Sequence, residues 1–415
     1  MSVLGAGDPL FSNGIDTTVV LIVIGKTLVI FVMLLLAVMM YIWFLRKVIA
    51  DMQNRVGPER AGPYGLLQSL ADAVKLFFKE QSMPESADRW VFRLAPYMSA
   101  LPAFLAFAIV PIGGAVTIAG HRTFLQLADF PIGILFLLAM SGLGLYGVML
   151  AGWSSGSKYP LLGSVRASAQ LLSYEAALGL SIVGVLLQTG GATSGGQAHP
   201  GTLSTRDIVS LQAWTGHWSG SPGNWPIVHW FVFPAIISFA IFLIAAVAET
   251  NHPPFDLVEA EQELVGGFHT EYTGIRFAIF YLAEFMNLIT MSAIAVTLFL
   301  GGPAGPALPG LPRLGWFNAW IMPVFWFFLK LIVLLFCTVW VRATLPRLRY
   351  DQLMDLGWKY LIEIAFLWLM VSGTVRVARD QGWNLWIVTP LATLGAVLVY
   401  GVIYLAMPKR DELVE

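Results

Sequence analysis

Residues 17–45 read TTVVLIVIGKTLVIFVMLLLAVMMYIWFL, a run whose only charge is Lys26. A helix of about 20 apolar residues is long enough to cross the hydrocarbon core of a bilayer. The run is too long for a cleavable signal peptide, and no basic segment stands before it. It therefore predicts a membrane-spanning helix.

Eight further apolar runs follow along the chain. The composition agrees with a membrane protein, because 57% of the residues are hydrophobic and only 12% are charged, whereas a soluble domain has about 25% charged residues. We therefore expect an all-α, polytopic membrane protein with nine spanning helices. The predicted spans are residues 17–45, 96–118, 131–152, 164–188, 228–249, 276–300, 320–341, 358–378 and 385–407.

The basic residues of the loops predict the orientation of the chain. One set of alternate loops, together with the C-terminal tail, holds 17 Lys and Arg, and the opposite side holds five. Because basic loops stay in the cytoplasm, we expect a plasma-membrane protein with its N-terminus outside and its C-terminus inside. Loops 46–95 and 250–276 are then cytoplasmic, and the outer loops 189–227 and 301–319 are expected to be irregular.

Several classes of cofactor site are excluded by the residue content. Cys337 is the only cysteine, so the chain has no intrachain disulfide and no self-sufficient Cys-ligated zinc or iron–sulfur site. None of the six histidines lies in the middle of a predicted span, which argues against a bis-His haem. The chain also lacks a phosphate-binding P-loop and a convincing dinucleotide fingerprint. We expect it to bind no cofactor of its own.

An acidic segment separates two of the predicted spans. Residues 249–272 read ETNHPPFDLVEAEQELVGGFHTEY, with no Lys or Arg. Clustered carboxylates near a membrane are costly, because desolvation disfavours their charged form. The segment predicts a site that handles protons or cations at the membrane edge; the alternative is a solvated loop, or one paired with Arg residues of a partner. Its acids are Glu249, Asp256, Glu259, Glu261, Glu263 and Glu271.

Several charged residues fall inside predicted spans, and four of them are candidates for function. Glu175 and Glu284 indicate function, since intramembrane acids mark proton or ion pathways, with a structural ion pair as the alternative. Arg166 is a candidate partner for Glu175. Lys330 and Glu363 need a counter-charge or a wet cavity, and for them function and structural pairing are equally supported.

The first cytoplasmic loop begins with turns and continues as an amphipathic helix. Residues 53–68 read QNRVGPERAGPYGLLQ, with Gly-Pro pairs typical of turns. Apolar residues then recur at helical spacing between charged ones, which predicts a helix at the interface. A second, weaker candidate is Leu348–Gly357. The apolar residues of the first helix are Leu66, Leu67, Leu70, Val74, Phe77 and Phe78.

Five ordered motifs carry a resemblance to a known family. They are Gln53-x-Arg-x-Gly-Pro with Gly62 to Glu80, Arg166-x-x-x-Gln170-x-x-Ser173-Tyr174-Glu175, the segment 249–272, Ala283-Glu284-x-x-Asn287, and Arg342-Ala-Thr-x-Pro346-Arg347-x-Arg349-x-Asp351-Gln352. Over roughly residues 17–378 the chain resembles the H subunit of the bacterial proton-pumping NADH:quinone oxidoreductase, respiratory complex I. The mitochondrial counterpart is NADH dehydrogenase subunit 1.

The resemblance implies a role inside a large translocase rather than a complete active site in this chain. Such a subunit anchors the peripheral redox arm, walls the tunnel for the quinone tail, and links the quinone chamber to proton-translocating subunits. The substrate would be a quinone, ubiquinone or menaquinone, and FMN and Fe–S clusters would belong to partner subunits. Expected partners are the peripheral-arm quinone-site and Fe–S subunits, the small membrane subunits, the antiporter-like subunits and lipids.

The resemblance also assigns roles to individual residues. The expected quinone chamber includes Gln53, Arg55, Arg60, Asp72, Phe255, Asp256 and Glu259. The expected proton-coupling acids are Glu175, Glu249, Asp256, Glu259, Glu261, Glu263, Glu271 and Glu284. The expected docking residues for the arm are Arg342, Arg347 and Arg349. For the arginines the alternative is topology and lipid contact; for Asp72 it is a surface ion pair with Lys75.

The sequence departs from the family pattern at three places. His252 stands where the family usually has Arg, loop 189–227 looks longer than usual, and span 385–407 is additional to the usual eight. We therefore divide the chain into a membrane domain resembling the family, residues 1–378 with the acidic loop 249–275, and an added helix and tail, residues 379–415.

Three alternative functions stay open: a homologous subunit of a membrane-bound hydrogenase, a stand-alone proton- or cation-coupled transporter, and a purely structural anchor.

Overall fold

The computed structural model describes residues 8–12, 14–194, 197–212, 230–257, 264–305 and 315–406. Helices dominate it, which confirms the predicted all-α class. They are α1 (Thr17–Met52), α2 (Gln68–Phe78), α3 (Arg89–Phe107), α4 (Gly133–Ser154), α5 (Lys158–Thr189), α6 (Thr205–Gln212), α7 (Ile236–Glu249), α8 (Gly274–Phe299), α9 (Gly315–Thr344), α10 (Tyr350–Asp380) and α11 (Leu385–Ala406). Short 3-10 turns lie at Pro9–Phe11, Pro63–Gly65 and Gly267–His269.

Eight of the described helices are long and apolar enough to cross a membrane: α1, α3, α4, α5, α8, α9, α10 and α11. The one predicted span that is not among these eight helices, 228–249, corresponds to α7, which has 14 residues. At 1.5 Å per residue it is about 21 Å long, shorter than the roughly 30 Å hydrocarbon core. Pro234 stands just before α7 and lacks the N–H that would continue helical hydrogen bonding upstream.

Two strand pairs lie where the sequence predicted helix or irregular loop. The predicted span 96–118 is wrong at its C-terminal end, because α3 stops at Phe107 and the chain turns at Pro111 and Gly113 before strand β1 (Ala115–Ile118). Strand β1 pairs antiparallel with β2 (His121–Phe124). The described part of loop 189–227 is also more regular than expected, because it contains β3 (Gly190–Ser194), β4 (Gln197–Pro200) and α6.

Helix α8 forms the centre of the described bundle, and α11 its margin. In α8, 72% of the most apolar stretch is buried, whereas in α11 none of it is. Helix α8 packs against α1, α3, α7 and α9, and α11 packs against α10. The central position of α8 matters for function, because it carries Glu284.

The loops that the charge bias assigns to the cytoplasm meet on one face. The backbone N–H of Ser82 donates to Thr273 Oγ1 at 2.9 Å, which joins the first loop to the segment before α8. The backbone N–H of Leu348 donates to the Pro254 carbonyl at 3.1 Å, which joins the loop before α10 to the acidic segment. We call this side the cytoplasmic face.

On the cytoplasmic face, α2 turns its polar side toward α1. Ser69 is buried and donates to the Met39 carbonyl at 3.0 Å, and Arg46 Nη1 lies 2.6 Å from Asp72 Oδ2. The apolar residues Leu70, Val74, Phe77 and Phe78 are exposed. The first amphipathic helix is therefore confirmed, with its apolar side turned away from the bundle.

The second candidate interfacial helix, Leu348–Gly357, is not a separate element. Helix α10 begins at Tyr350 and continues through a π turn, Leu356–Leu361, into the spanning part of the helix. Gly357 lies at this turn against Ser173 and Tyr174 of α5. No proline between residues 350 and 362 interrupts the helix and separates the two parts.

On the opposite, outer face, the segment before α1 is attached to the β1–β2 hairpin. Lys26 Nζ lies 3.0 Å from Thr123 Oγ1 and 3.4 Å from Asp8 Oδ2. Thr123 in turn donates to Asp8 Oδ2 at 2.8 Å. Lys26 is thus satisfied by partners within the protein and does not need to reach bulk water.

Candidate functional site

One small cavity, which we call the carboxylate cavity, gathers several charged residues of the bundle interior. It lies among α3, α4, α5, α8 and the segment between α7 and α8. Its volume, counted as the space that the centre of a water molecule can occupy, is about 50 Å³. That is enough for a few waters. Its lining residues are Ser99, Ser141, Gly144, Leu145, Val148, Leu171, Glu175, Glu249, Thr250, Asn251, Asp256, Phe268, His269, Phe280, Glu284 and Asn287.

Glu249 is the most deeply buried acid of the cavity. It is the last residue of α7 and is 8% exposed. Ser141 of α4 donates a hydrogen bond to its Oε1, while its Oε2 is buried and has no hydrogen-bond partner among the described residues. The half-buried Glu175 of α5 lies close enough for the two negative charges to repel each other. A proton on one acid is therefore favoured by charge on the other.

Glu284 of α8 forms a contact with a buried histidine. His252 Nδ1 lies 3.2 Å from Glu284 Oε1 and 3.1 Å from the Thr250 carbonyl oxygen. The tautomer that carries its hydrogen on Nδ1 can donate to both of these oxygens. His252 Nε2 is buried and has no partner within the described part of the chain. Arg166, the candidate ion-pair partner of Glu175, places its guanidinium over the Tyr350 ring, 5.5 Å from the ring centroid.

His269 is a second buried imidazole on the cavity wall. It is 8% exposed, and its ring contacts the aromatic rings of Phe268, Phe277 and Phe280. Burial lowers the pKa of His269 to about 4, against the opposing effect of the negative charge of Glu284. The imidazole is therefore neutral at physiological pH.

Gln170 of α5 fixes the backbone that carries the site. Its Nε2 donates to the carbonyl oxygens of Ala248 at 2.8 Å and Phe255 at 3.0 Å, and lies 3.3 Å from Asn251 Oδ1. The Gln170 side chain is 1% exposed. These bonds hold both ends of the turn between Glu249 and Phe255, which contains the cis peptide Pro253-Pro254.

The acids of segment 249–272 do not all share one place. Glu249 and Asp256 line the cavity, together with Glu175 and Glu284 from the helices. Glu271 is half-buried and lies outside the lining. Glu259, Glu261 and Glu263 lie outside the described residues, so the predicted helical face formed by Asp256, Glu259 and Glu263 lies there too.

The expected quinone-chamber residues of the first loop form a separate group. Gln53, Arg55 and Arg60 are exposed on the cytoplasmic face and do not line the carboxylate cavity. Asp72 forms an ion pair with Arg46 of α1 and accepts a hydrogen bond from Gln68 Nε2 at 3.1 Å, so its ion pair is with α1 and not with Lys75, the partner in the alternative interpretation.

Phe255 connects the acidic segment to α5. It is buried, and its ring centroid lies 5.8 Å from that of Tyr174.

Of the expected docking residues, Arg347 and Arg349 are exposed and Arg342 is half-buried. All of them precede α10 on the cytoplasmic face.

Sequence reasoning missed three members of the site: Ser141, Gln170 as a support, and His269. Ser141 lies in a uniformly apolar helix, where a single hydroxyl gives no signal. Gln170 lay inside a quoted motif, and His269 lay inside the acidic segment, so their positions were visible in the sequence but their contacts were not.

Comparison with known proteins gives one family. The family model described as NADH dehydrogenase matches residues 25–373. The H subunit of NADH-quinone oxidoreductase from Frankia alni (strain DSM 45986 / CECT 9034 / ACN14a) is 49% identical over 380 residues, covering 91% of this chain and 78% of that protein. Its namesake from Frankia casuarinae (strain DSM 45818 / CECT 9043 / HFP020203 / CcI3) is 51% identical over 360 residues, covering 87% and 74% respectively.

Proposed function

This chain belongs to the family of the NADH-quinone oxidoreductase H subunit, and on that premise we propose that its buried carboxylates couple quinone reduction to proton translocation. The chain is a multi-pass membrane subunit of an NADH:quinone oxidoreductase, and its partners are other subunits of that complex. The relatives' names favour this function over a hydrogenase subunit or a stand-alone transporter.

The observation that carries the proposal is the meeting of three helices at one cavity. Glu175, Glu249 and Glu284 come from α5, α7 and α8 and face the same small polar space, with Asp256 beside them. Charges in such a low-dielectric site interact far more strongly than in water. A change in the charge of one acid therefore alters the electrostatic environment of the others.

The proposed sequence of events begins on the cytoplasmic face. Reduction of a quinone, ubiquinone or menaquinone, consumes two electrons and two protons. The electrons come from the Fe–S clusters and FMN of partner subunits. The exposed Gln53, Arg55 and Arg60, with Asp72 nearby, and the segment at Phe255 and Asp256 bound the chamber in this scheme.

Proton uptake in the chamber changes the charge around Asp256. The change reaches Glu284, Glu249 and Glu175 across the cavity, and from there the proton-translocating subunits. Glu259, Glu261, Glu263 and Glu271 supply further acid along the same segment. Arg342, Arg347 and Arg349 dock the peripheral arm, and the position of these arginines beside the acidic segment supports this assignment.

The test uses membranes that carry Glu175→Gln or Glu249→Gln in the assembled complex. Each variant keeps the shape of the side chain and removes its charge. We expect NADH oxidation by ferricyanide, which bypasses the quinone, to stay unchanged, while quinone reduction and NADH-driven acidification fall by at least about tenfold.

Glu85→Gln is the matched control, because Glu85 is exposed and lies away from the cavity. Unchanged quinone reduction and unchanged acidification in both cavity variants would overturn the proposal. Loss of assembly in place of turnover would favour the purely structural anchor.

A further inference from the structure

The carboxylate cavity contains a nitrogen that the proposed coupling does not use. His269 Nδ1 is buried and has no hydrogen-bond partner among the residues described. An unpaired buried polar atom is destabilising, because it has given up its hydrogen bonds to water. Glu249 Oε2 is in the same situation, and both side chains line the same cavity. Two unpaired polar atoms, one nitrogen and one carboxylate oxygen, therefore belong to side chains that line one polar space.

The imidazole is held firmly in this position. Its ring centroid lies 3.8 Å from that of Phe268 and 5.5 Å from that of Phe280. The turn that carries it is pressed against α5, because a Cβ on Gly163 would lie 2.7 Å from the Cα of Gly267. A fixed ring with a free nitrogen is suited to proton exchange at one place.

The charges around His269 come from each neighbouring element. Helix α8 supplies Glu284, α7 supplies Glu249, α5 supplies Glu175, and the intervening segment supplies Asp256 and His252. The cavity lining from α3 and α4 adds no titratable side chain. Tyr272, beside His269 in the chain, stays neutral because burial raises its pKa to about 12.

Burial lowers the pKa of His269 to about 4, and the negative charge of Glu284 opposes this shift without cancelling it. Protonation of His269 is therefore opposed when the acids of the cavity are neutral and favoured when Glu284 is charged. The neutral imidazole therefore predominates above about pH 4, and nearby negative charge makes proton uptake less unfavourable.

We propose that His269 is a proton-relay residue of this cavity, acting between Glu284 and Glu249. The O–H bond of protonated Glu284 breaks, its proton passes through water in the cavity, and an N–H bond forms on the imidazole, which leaves Glu284 ionised. That N–H bond then breaks as the proton passes to the Glu249 carboxylate, and the imidazole returns to its neutral form. The inference rests on the proposed coupling function and adds a nitrogen base to its acids.

The test compares His269→Gln with wild type in assembled membranes over a range of pH. Glutamine keeps hydrogen-bonding groups but cannot titrate. Ferricyanide reduction should be unchanged. Quinone reduction should fall about tenfold near pH 8, and the deficit should narrow toward pH 6, where protons in water are about a hundredfold more abundant and replace the relay.

His121→Gln is the control, since His121 lies in the outer hairpin far along the chain from the cavity. It should follow the wild-type profile. A wild-type profile for His269→Gln, or a deficit of equal size at every pH, would overturn the relay, because the second result indicates only a structural role. His269→Asn provides a second variant, and failure of both to assemble would also assign the residue to structure.

Glu249→Gln measured in parallel separates the two proposals. If Glu249→Gln loses coupling while His269→Gln behaves as wild type, the relay is wrong and the carboxylate function stands. If both behave as wild type, the coupling function itself is wrong.

Discussion

Lys330 shows how a charge in the middle of an apolar helix is satisfied by backbone alone. Its ammonium donates to the carbonyl oxygens of Leu300 at 2.7 Å, Gly302 at 2.8 Å and Ala304 at 2.6 Å. It also lies 4.5 Å from the centroid of the Trp230 ring. These carbonyls follow the C-terminus of α8, where the helix dipole favours a cation. The sequence left function and structural pairing open for Lys330, and these contacts favour the structural interpretation.

Replacing Lys330 with methionine should destabilise the protein without touching the cavity. The change removes three hydrogen bonds and leaves buried carbonyls unpaired, which should cost on the order of 3 kcal/mol. The measurement is the melting temperature of the detergent-purified complex. Lys47→Met is the control, because Lys47 forms a surface pair with Glu59 at 3.6 Å, worth about 0–1 kcal/mol. Equal shifts for both variants would contradict the argument.

His252 changes the character of the site relative to the family pattern. An arginine at this position would be a permanent cation beside Glu284, whereas an imidazole carries charge only when protonated. An Nδ1–H group at this position can donate to the Thr250 carbonyl oxygen and to the Glu284 carboxylate. The substitution therefore preserves a hydrogen bond and gives up a fixed charge.

At the scale of elements, the close approach of α5 to the Gly267–His269 turn is the most sensitive contact. Gly163→Ala places a Cβ only 2.7 Å from the Cα of Gly267, so the turn must move and His269 with it. We expect quinone reduction to fall at least about threefold and the complex to lose about 1–3 kcal/mol of stability.

Gly179→Ala is a control on the same helix. A Cβ there meets nothing within 4 Å, and alanine is favoured over glycine in a helix by about 0.5–1 kcal/mol. This variant should retain activity and gain slightly in stability. Similar losses in the two variants, measured as quinone reduction per assembled complex, would show that the contact is unimportant.

Hydropathy predicted most of the spanning helices but not their ends. Hydropathy averaged over a window of residues reflects only apolar content. The predicted span 96–118 therefore extended past Pro111 and Gly113 into strand β1. The average likewise assigned a full span to residues 228–249, where the helix begins only after Pro234. In both cases a backbone property of proline or glycine, invisible to hydropathy, sets the boundary.

At the scale of the whole molecule, the sequence predicted most acids of the site but not which of them meet. Glu175, Glu249, Asp256 and Glu284 were selected from the sequence, and the fold brings them to one cavity. Glu271 belongs to the same acidic segment but lies outside that cavity, since sequence proximity does not determine which way a turn carries a side chain. The contact of Ser141 with Glu249 depends on how α4 packs against its neighbours, and no local pattern encodes it.

The marginal position of α11 predicts that the rest of the molecule works without it. None of its apolar stretch is buried within the described structure, and it packs against α10, away from the cavity. Deletion of residues 383–415 should leave quinone reduction per assembled complex within about twofold of wild type, since isolated surface changes have small effects. Deletion of residues 407–415 alone is the control; a large loss confined to the longer deletion would assign α11 a role in turnover.

The outer attachment of Lys26 has a consequence for how the protein sits in a bilayer. Helix α1 has 36 residues and is about 54 Å long, far more than the roughly 30 Å that lipid tails fill. Lys26, bound at the hairpin, and Arg46, bound to Asp72, are the two charges that bracket its lipid-facing middle. The 19 residues between them, 27–45, rise about 29 Å. The two ion pairs thus match one hydrocarbon thickness, and thicker or thinner lipid creates hydrophobic mismatch that must be relieved by tilt or by deforming the bilayer.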